Sequence, residues 1–202
     1  MNYLKFKYGI DKFVALFLIL ILFPIILLIS ILIKLKLGSP IFFTQERPGL
    51  KEKKFILIKF RSMSIRKDEY GKLLKDKYRL TNFGKWLRET SIDEIPTLIN
   101  ILRGEMSFIG PRPLLVEYLN LYSNYERKRH NIKPGLTGLA QIKGRNSISW
   151  KKKFKYDIFY IDNLSFILDI RIFFMTIFKV IKKEGINSQY NKPVEPFNGH
   201  KN

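Results

Sequence analysis

Cysteine is absent from the sequence. No disulfide can staple the fold, no thiolate can attack a substrate, and no zinc–thiolate centre can form; a reducing compartment is permitted but not required. Histidine is nearly as scarce, with only His130 and His200 in 202 residues, so a histidine-based triad or metal cluster is set aside. His130 reads as a surface residue of the basic run Arg127-Lys128-Arg129-His130. Negative charge is also short: 17 Asp and Glu face 37 Lys and Arg, a formal net charge of +20. Such a chain seeks polyanions, whether nucleic acid, an anionic membrane surface or phosphate-bearing substrates. There is no internal repeat or low-complexity tract, and the length suits one domain with a core of its own.

What the sequence has is one long apolar run. Phe13 to Ile33 is 21 residues of almost unbroken hydrophobic character. As a straight helix it reaches roughly 30 Å, enough for the hydrocarbon core of a bilayer. A cleaved signal peptide fits poorly, because the run is too long and no small-residue cleavage site follows. A spanning helix and a re-entrant helix both remain. Pro24, near the middle, removes one backbone hydrogen bond and clashes with the preceding turn. Both flanks are basic, with Lys5, Lys7 and Lys12 before and Lys34 and Lys36 after. The positive-inside rule favours keeping both on the cytoplasmic side. Proline is nonetheless tolerated in many spanning helices.

Beyond the run, Ile41 to Gln45 and Phe55 to Phe60 predict short strands, with a turn at Arg47-Pro48-Gly49. Leu80, Phe83, Trp86 and Leu87 recur at helical spacing. A helix is expected from Glu94 to Arg103, ending at Gly104. Pro113 is placed to open another towards Arg129. Trp150, Phe154, Ile158 and Ile161 share a helical face, and Ser165 can cap a last helix from Phe166 to Lys183. That helix is rich in Phe and Ile but carries Asp169, Arg171 and Lys179, which suits the membrane interface or a buried core. The fold class expected is α+β, mainly helical: a single membrane-associated domain with a small β element. It divides into a membrane segment (1–36), a catalytic region (37–185) and a polar tail (186–202) expected to be mobile.

Asp93-Glu94 is the one adjacent acidic pair flanked by apolar residues. Ser91-Ile92-Asp93-Glu94 matches a capping box, and spacing alone favours that reading. The same place suits catalysis, because a helix N-terminus favours ionised carboxylates, which can attack phosphorus or share Mg²⁺ with a phosphate. In Pro111-Arg112-Pro113 two prolines restrict the backbone of Arg112, which suits bidentate phosphate binding; a solvated arginine at a rigid helix entry fits as well. Arg88 and Arg145 are further cations of the same kind.

These pieces occur in a specific order: Lys59-Phe60-Arg61-Ser62-Met63, Ser91-Ile92-Asp93-Glu94-Ile95-Pro96, Met106-Ser107-Phe108-Ile109-Gly110-Pro111-Arg112-Pro113, then Arg129-His130 and Pro134-Gly135-Leu136-Thr137-Gly138-Leu139-Ala140-Gln141. Together they resemble the bacterial sugar transferases, the small monotopic phosphoglycosyl transferases. The resemblance covers nearly the whole chain and is strongest to the small enzymes that start bacterial protein N-glycosylation. It implies a re-entrant helix broken at Pro24, on the cytoplasmic face of the inner membrane. It implies Asp93 as nucleophile towards a UDP-sugar such as UDP-N,N′-diacetylbacillosamine, with Glu94 beside it and Mg²⁺ as cofactor. Undecaprenyl phosphate is the implied acceptor, and Arg88, Arg112, Arg145 and Lys59 are implied to bind phosphate. Phe23 stands where family members often carry Ser, and Leu139 where Trp is common. The rival readings are a membrane-tethered nucleic-acid-binding protein, against which the dispersed Lys and Arg and the lack of a nucleic-acid motif weigh, and a structural anchor without catalysis.

Overall fold

In the computed structural model, residues 2–144, 147–182 and 196–199 are described. Helix α1 (Asn2–Leu37) contains the whole apolar run. It passes Pro24 without interruption of the helix, so the expected break is not a gap in secondary structure. A proline removes one hydrogen bond and bends a helix, and both neighbouring turns can remain helical.

Strands β1 (Phe42–Pro48) and β2 (Lys54–Phe60) form an antiparallel hairpin in which Phe42 faces Phe60 and Pro48 faces Lys54. The strand therefore runs on through the Arg47-Pro48 expected to turn. The outer edge of β2 is covered by side chains. Asn100 accepts from the Ile58 N–H at 3.0 Å and donates to the Ile56 carbonyl at 2.7 Å, while Thr97 donates to the Ile58 carbonyl at 2.9 Å. Two backbone acceptors and a donor that an edge strand would leave open are thus satisfied.

A short helix α2 (Asp76–Arg79) precedes α3 (Asn82–Glu89), whose start is capped by Thr81 accepting from the Gly84 N–H at 3.1 Å. The expected Glu94–Arg103 helix is split into a 3₁₀ turn (Ile92–Thr97) and α4 (Leu98–Leu102), and the chain leaves it at Gly104, φ 79°. Strands β3 (Ser107–Ile109) and β4 (Gly135–Thr137) pair in parallel. Between them the long helix expected after Pro113 is replaced by 3₁₀ turns at Val116–Leu121 and Lys128–Asn131 around a one-turn α5 (Asn124–Arg127). A capping box does exist, but at Ser123 and Glu126. Helices α6 (Leu139–Lys143), α7 (Trp150–Asp162) and α8 (Phe166–Ile181) complete the chain. Ser165 caps α8 as expected, accepting from the Leu168 N–H at 3.3 Å.

The core lies in four patches along α1 and the C-terminal helices. Ala15 packs with Phe55, Leu57, Leu98 and Ile101, and Ile29 and Ile33 pack with Phe60 and Leu87. Ile109, Leu139, Tyr160 and Ile172 form the third patch. The fourth is aromatic: Tyr122 and Phe154 surround Phe197. Phe197 belongs to the expected mobile tail, most of which lies outside the described residues.

Both ends of α1 are tied to the same body of protein. Near its start Lys7 forms a buried ion pair with Asp169 of α8 at 2.6 Å, and Tyr3 and Tyr160 donate to the same carboxylate at 2.5 Å each. Asp11 accepts from Ser107 at 2.6 Å. At the other end Arg61 donates to the carbonyls of Leu37, Gly38 and Ser39 at 2.6, 2.5 and 3.0 Å, meeting the free carbonyls of a helix C-terminus. The opposite face of α1 is bare, with Phe13, Phe17, Leu20, Phe23 and Leu27 more than half exposed, and α8 likewise exposes Phe166, Ile167, Phe174 and Phe178. Apolar surface on this scale marks a membrane or partner contact.

Candidate active site

The acidic pair sits at a sharp change of direction. Ser91 ends the turn after α3 in a left-handed conformation, φ 57°, which is uncommon for a residue with a Cβ. Its side chain makes no capping bond; the link to Glu94 is the backbone bond from the Glu94 N–H to the Ser91 carbonyl at 3.1 Å. The capping box favoured by spacing is therefore not formed, and the Glu94 carboxylate is turned elsewhere.

It turns towards two cations. Lys59, on β2, forms an ion pair with Glu94 Oε1, and Arg112 Nη2 approaches the same oxygen at 3.1 Å. Lys59 arrives from the strand whose adjoining residue, Ile58, is fastened to Thr97 and Asn100, so the strand and the acidic turn are one unit. Burial pushes the Glu94 carboxyl up, but Lys59 and Arg112 outweigh it and bring its pKa down to about 2. Glu94 is ionised near neutral pH and engaged through one oxygen, Oε1, by both cations.

Asp93 is different. Among the described residues it takes no hydrogen bond or ion pair. Burial and the neighbouring charge of Glu94 raise its pKa to about 6, against the pull of Lys59, Arg88 and Arg112. It is a partly buried carboxylate held near cations but not neutralised by contact with one, which leaves its oxygens available for bonding to an electrophile.

The arginines are set by the surrounding motifs. Arg88, on the last turn of α3, donates through Nε to Ser62 at 2.7 Å. Arg112 has its backbone confined by Pro111 and Pro113, and its carbonyl accepts from Arg129 Nη2 at 2.7 Å. Arg129 is buried and paired with Asp157 at 2.8 Å. The Gly110 N–H donates to Thr137 and the Gly135 N–H to Pro111, each at 2.9 Å, so the Pro134–Gly138 stretch holds the Arg112 loop in place. The structure thus gathers Lys59, Arg88, Arg112, Asp93 and Glu94; Arg145 lies outside the described residues.

Sequence reasoning misplaced one residue, His130, and missed two neighbours of the site, Arg47 and Ser62. His130 is not on the surface: it is 5% exposed, Nδ1 lies 3.2 Å from the Gly49 carbonyl, and burial with the Arg129 charge lowers its pKa to about 4. Arg47 is near enough to Arg112 to feel its charge; burial first, then that charge, lowers its pKa. Ser62 holds Arg88. For Ser62 the available signal was its place in the Lys59–Met63 motif; Arg47, read only as part of a turn, carried no such signal, and nothing in the spacing of either placed it near the acidic pair.

For a metal, the donor set is sparse but suitable. Among the described residues no third Asp, Glu or His joins Asp93 and Glu94. Mg²⁺ usually keeps several waters and takes one or two carboxylates with substrate phosphates, so this pair fits a cation completed by a bound phosphate.

A carboxylate free to attack, a neighbour locked by cations, and arginines aimed at the same spot suit phosphoryl chemistry on a phosphorylated substrate. Comparison with known proteins agrees. The profile described as "Bacterial sugar transferase" matches residues 2–183. The chain is 49% identical over 189 residues to "Uncharacterized sugar transferase EpsL" of Bacillus subtilis (strain 168), covering 94% of each. It is 36% identical to "Exopolysaccharide production protein ExoY" of Sinorhizobium fredii (strain NBRC 101917 / NGR234), over 89% of this chain and 87% of that one. It is 38% identical to "UDP-glucose:undecaprenyl-phosphate glucose-1-phosphate transferase" of Xanthomonas campestris pv. campestris, over 85% of this chain but only 38% of that longer relative. With the family profile running from the first turn of α1 to just past α8, and the acidic pair and its cations inside it, the chain belongs to the bacterial sugar transferase family.

Proposed function

We propose that the protein transfers a sugar-1-phosphate from a UDP-sugar to undecaprenyl phosphate, giving undecaprenyl-diphospho-sugar and UMP. The observation that carries this is the division of labour in the acidic pair: Glu94 is locked by Lys59 and Arg112, while Asp93 makes no such bond. In the first step an Asp93 oxygen attacks the β-phosphorus of the donor. The bond from that phosphorus to the bridging oxygen breaks, and UMP leaves with the electron pair. In the second step an oxygen of the lipid phosphate attacks the aspartyl-bound phosphorus and the Asp93 carboxylate is released. Glu94 fixes Lys59 and Arg112 where the diphosphate charge must be met, with Arg88 and Arg145 as further phosphate ligands. Mg²⁺, when bound through Asp93, Glu94 and the diphosphate, would neutralise charge on the departing UMP.

The placement we infer is monotopic, on the cytoplasmic face of the inner membrane. The ties at Lys7, Asp11 and Arg61 support it, because one charged domain grips both ends of α1. A helix crossing the bilayer would have to present those ends to opposite sides. Pro24 then bends a helix that dips into one leaflet. The +20 charge is addressed to anionic lipids and phosphate substrates rather than nucleic acid.

The donor sugar is the open choice within this reading. The resemblance favours a diacetamido sugar such as UDP-N,N′-diacetylbacillosamine, for protein glycosylation. The names of relatives carry UDP-glucose and UDP-galactose instead, in Xanthomonas campestris pv. campestris and Erwinia amylovora. UMP release measured across these three donors, with undecaprenyl phosphate and Mg²⁺, tests the function. Turnover of at least one is expected; no UMP from any would overturn it.

A further inference from the structure

Helices α6, α7 and α8 enclose a groove of about 290 Å³. Its accessible walls are apolar, with Phe159 from α7 and Leu168 and Met175 from α8, over a floor that includes the buried Leu139 and Ile172. Three cations, Lys143, Lys155 and Arg171, also line it, one from each helix. All three are exposed, and among the described residues none is paired with a carboxylate. Three cations at the rim of an apolar slot meet no carboxylate of the protein among the described residues. The arrangement is the complement of an anionic amphiphile, with a phosphate for the cations and a hydrocarbon chain for the slot.

The groove belongs to a different wall from the candidate active site. Asp93 and Glu94 are held by β2 and the Arg112 loop, whereas the groove is built wholly from α6, α7 and α8. No hydrogen bond or ion pair among the described residues links Lys143, Lys155 or Arg171 to Asp93, Glu94, Lys59 or Arg112. In the groove wall α7 leaves Phe159 half exposed, and α8 exposes Phe166, Phe173 and Phe174. These exposed aromatics give the groove an apolar surround of the kind a bilayer surface covers.

We propose that this groove is a binding site for an anionic phospholipid, whose acyl chain lies against Phe159, Leu168 and Met175 and whose phosphate meets Lys143, Lys155 and Arg171. Such a lipid would hold the C-terminal helices at a fixed depth without entering the reaction. The proposal rests on the membrane placement proposed for the chain. The cations would snorkel from the apolar walls to the head-group level, as long basic side chains do at interfaces.

The test is native mass spectrometry of the full chain in detergent micelles, supplied with phosphatidylglycerol, phosphatidylcholine or undecaprenyl phosphate. The wild type is expected to retain phosphatidylglycerol in preference to phosphatidylcholine. The triple variant Lys143→Gln, Lys155→Gln, Arg171→Gln should lose that preference by about tenfold or more. Met175→Trp, which fills the slot and leaves the cations, should lose retention too; circular dichroism confirms that each variant is folded. Equal retention by wild type and triple variant, or equal retention of both phospholipids, would overturn the proposal. So would displacement of phosphatidylglycerol by undecaprenyl phosphate, which would make the groove an acceptor site. UMP release from the same preparations separates the two readings: lipid retention without UMP sinks the transferase alone, and UMP without lipid retention sinks the groove alone.

Discussion

Lys59 and Arg112 converge on a single oxygen of Glu94, Oε1, from a strand and from a proline-flanked loop that lie 53 residues apart in sequence (112 − 59 = 53). The convergence explains why two adjacent carboxylates do not share one fate. Every proton-binding cost of the pair falls on Asp93, because Glu94 is already neutralised.

Removing one arm of that clamp should redistribute the charge. Lys59→Met leaves Glu94 with Arg112 alone, so the Glu94 pKa rises and the diphosphate loses a cation. Turnover is expected to fall by about a hundredfold, a size typical of losing one charge-stabilising group. Lys59→Arg should retain much of it. UMP-release rates for both variants check this, and a Lys59→Met enzyme as fast as wild type would contradict it.

The raised Asp93 pKa fixes a pH limb. The ionised form is the attacking form, so activity should fall as pH drops through about 6, rather than near the 3.8 of an ordinary aspartate. Arg88 favours the ionised form, so Arg88→Gln should move the limb to higher pH. The measurement is the single-turnover rate with donor as a function of pH in both proteins. A limb near 4, or one unmoved by the substitution, would contradict the assignment.

Gly84 permits the approach of α3 to the Lys59–Met63 segment. A Cβ there would lie 1.8 Å from the Ser62 carbonyl oxygen, a backbone atom that cannot swing aside. Gly84→Ala should push α3 outward, strain the Arg88–Ser62 bond and destabilise the protein by about 1–3 kcal/mol. Thermal unfolding and UMP release should both drop; an unchanged melting temperature would show that α3 has room the structure does not.

His130 sets an acid limit on stability. Its folded pKa, about 4, is below the ordinary 6.5, so between those values the unfolded chain binds the extra proton. Stability is therefore full above about pH 6.5 and lost as pH falls, by about 2 kcal/mol between pH 7 and 5. Denaturant unfolding at the two pH values measures it. His130→Gln should flatten that difference; a wild type equally stable at both pH values would show that the buried imidazole charges freely.

Periodic features were legible in the sequence: the apolar run, α3, α7 and the Ser165 cap of α8 all follow from spacing. The acidic pair and Arg112 were legible because motif order singles them out. What escaped was set by contacts between distant segments. Ser91 and Glu94 have capping-box spacing, yet Ser91 is left-handed and Glu94 is drawn off by Lys59, which no local pattern encodes. The long helix expected after Pro113 is broken into turns where Arg129 bonds Arg112 and Asp157. His130 looked solvated beside its basic neighbours, but the Gly49 turn, 81 positions away, buries it. Lys7 and Asp169 read as flank and interface charges and instead close a buried pair between the two ends of the chain.

The central claim is that Asp93 takes up the phosphosugar before the lipid does. Intact-protein and peptide mass spectrometry, on enzyme quenched after mixing with a UDP-sugar it turns over and no undecaprenyl phosphate, tests it most directly. The account predicts a mass increase equal to one phosphosugar, located on Asp93, absent from Asp93→Asn and lost when the lipid phosphate is added. Turnover without any such adduct, or an adduct on another residue, would contradict it.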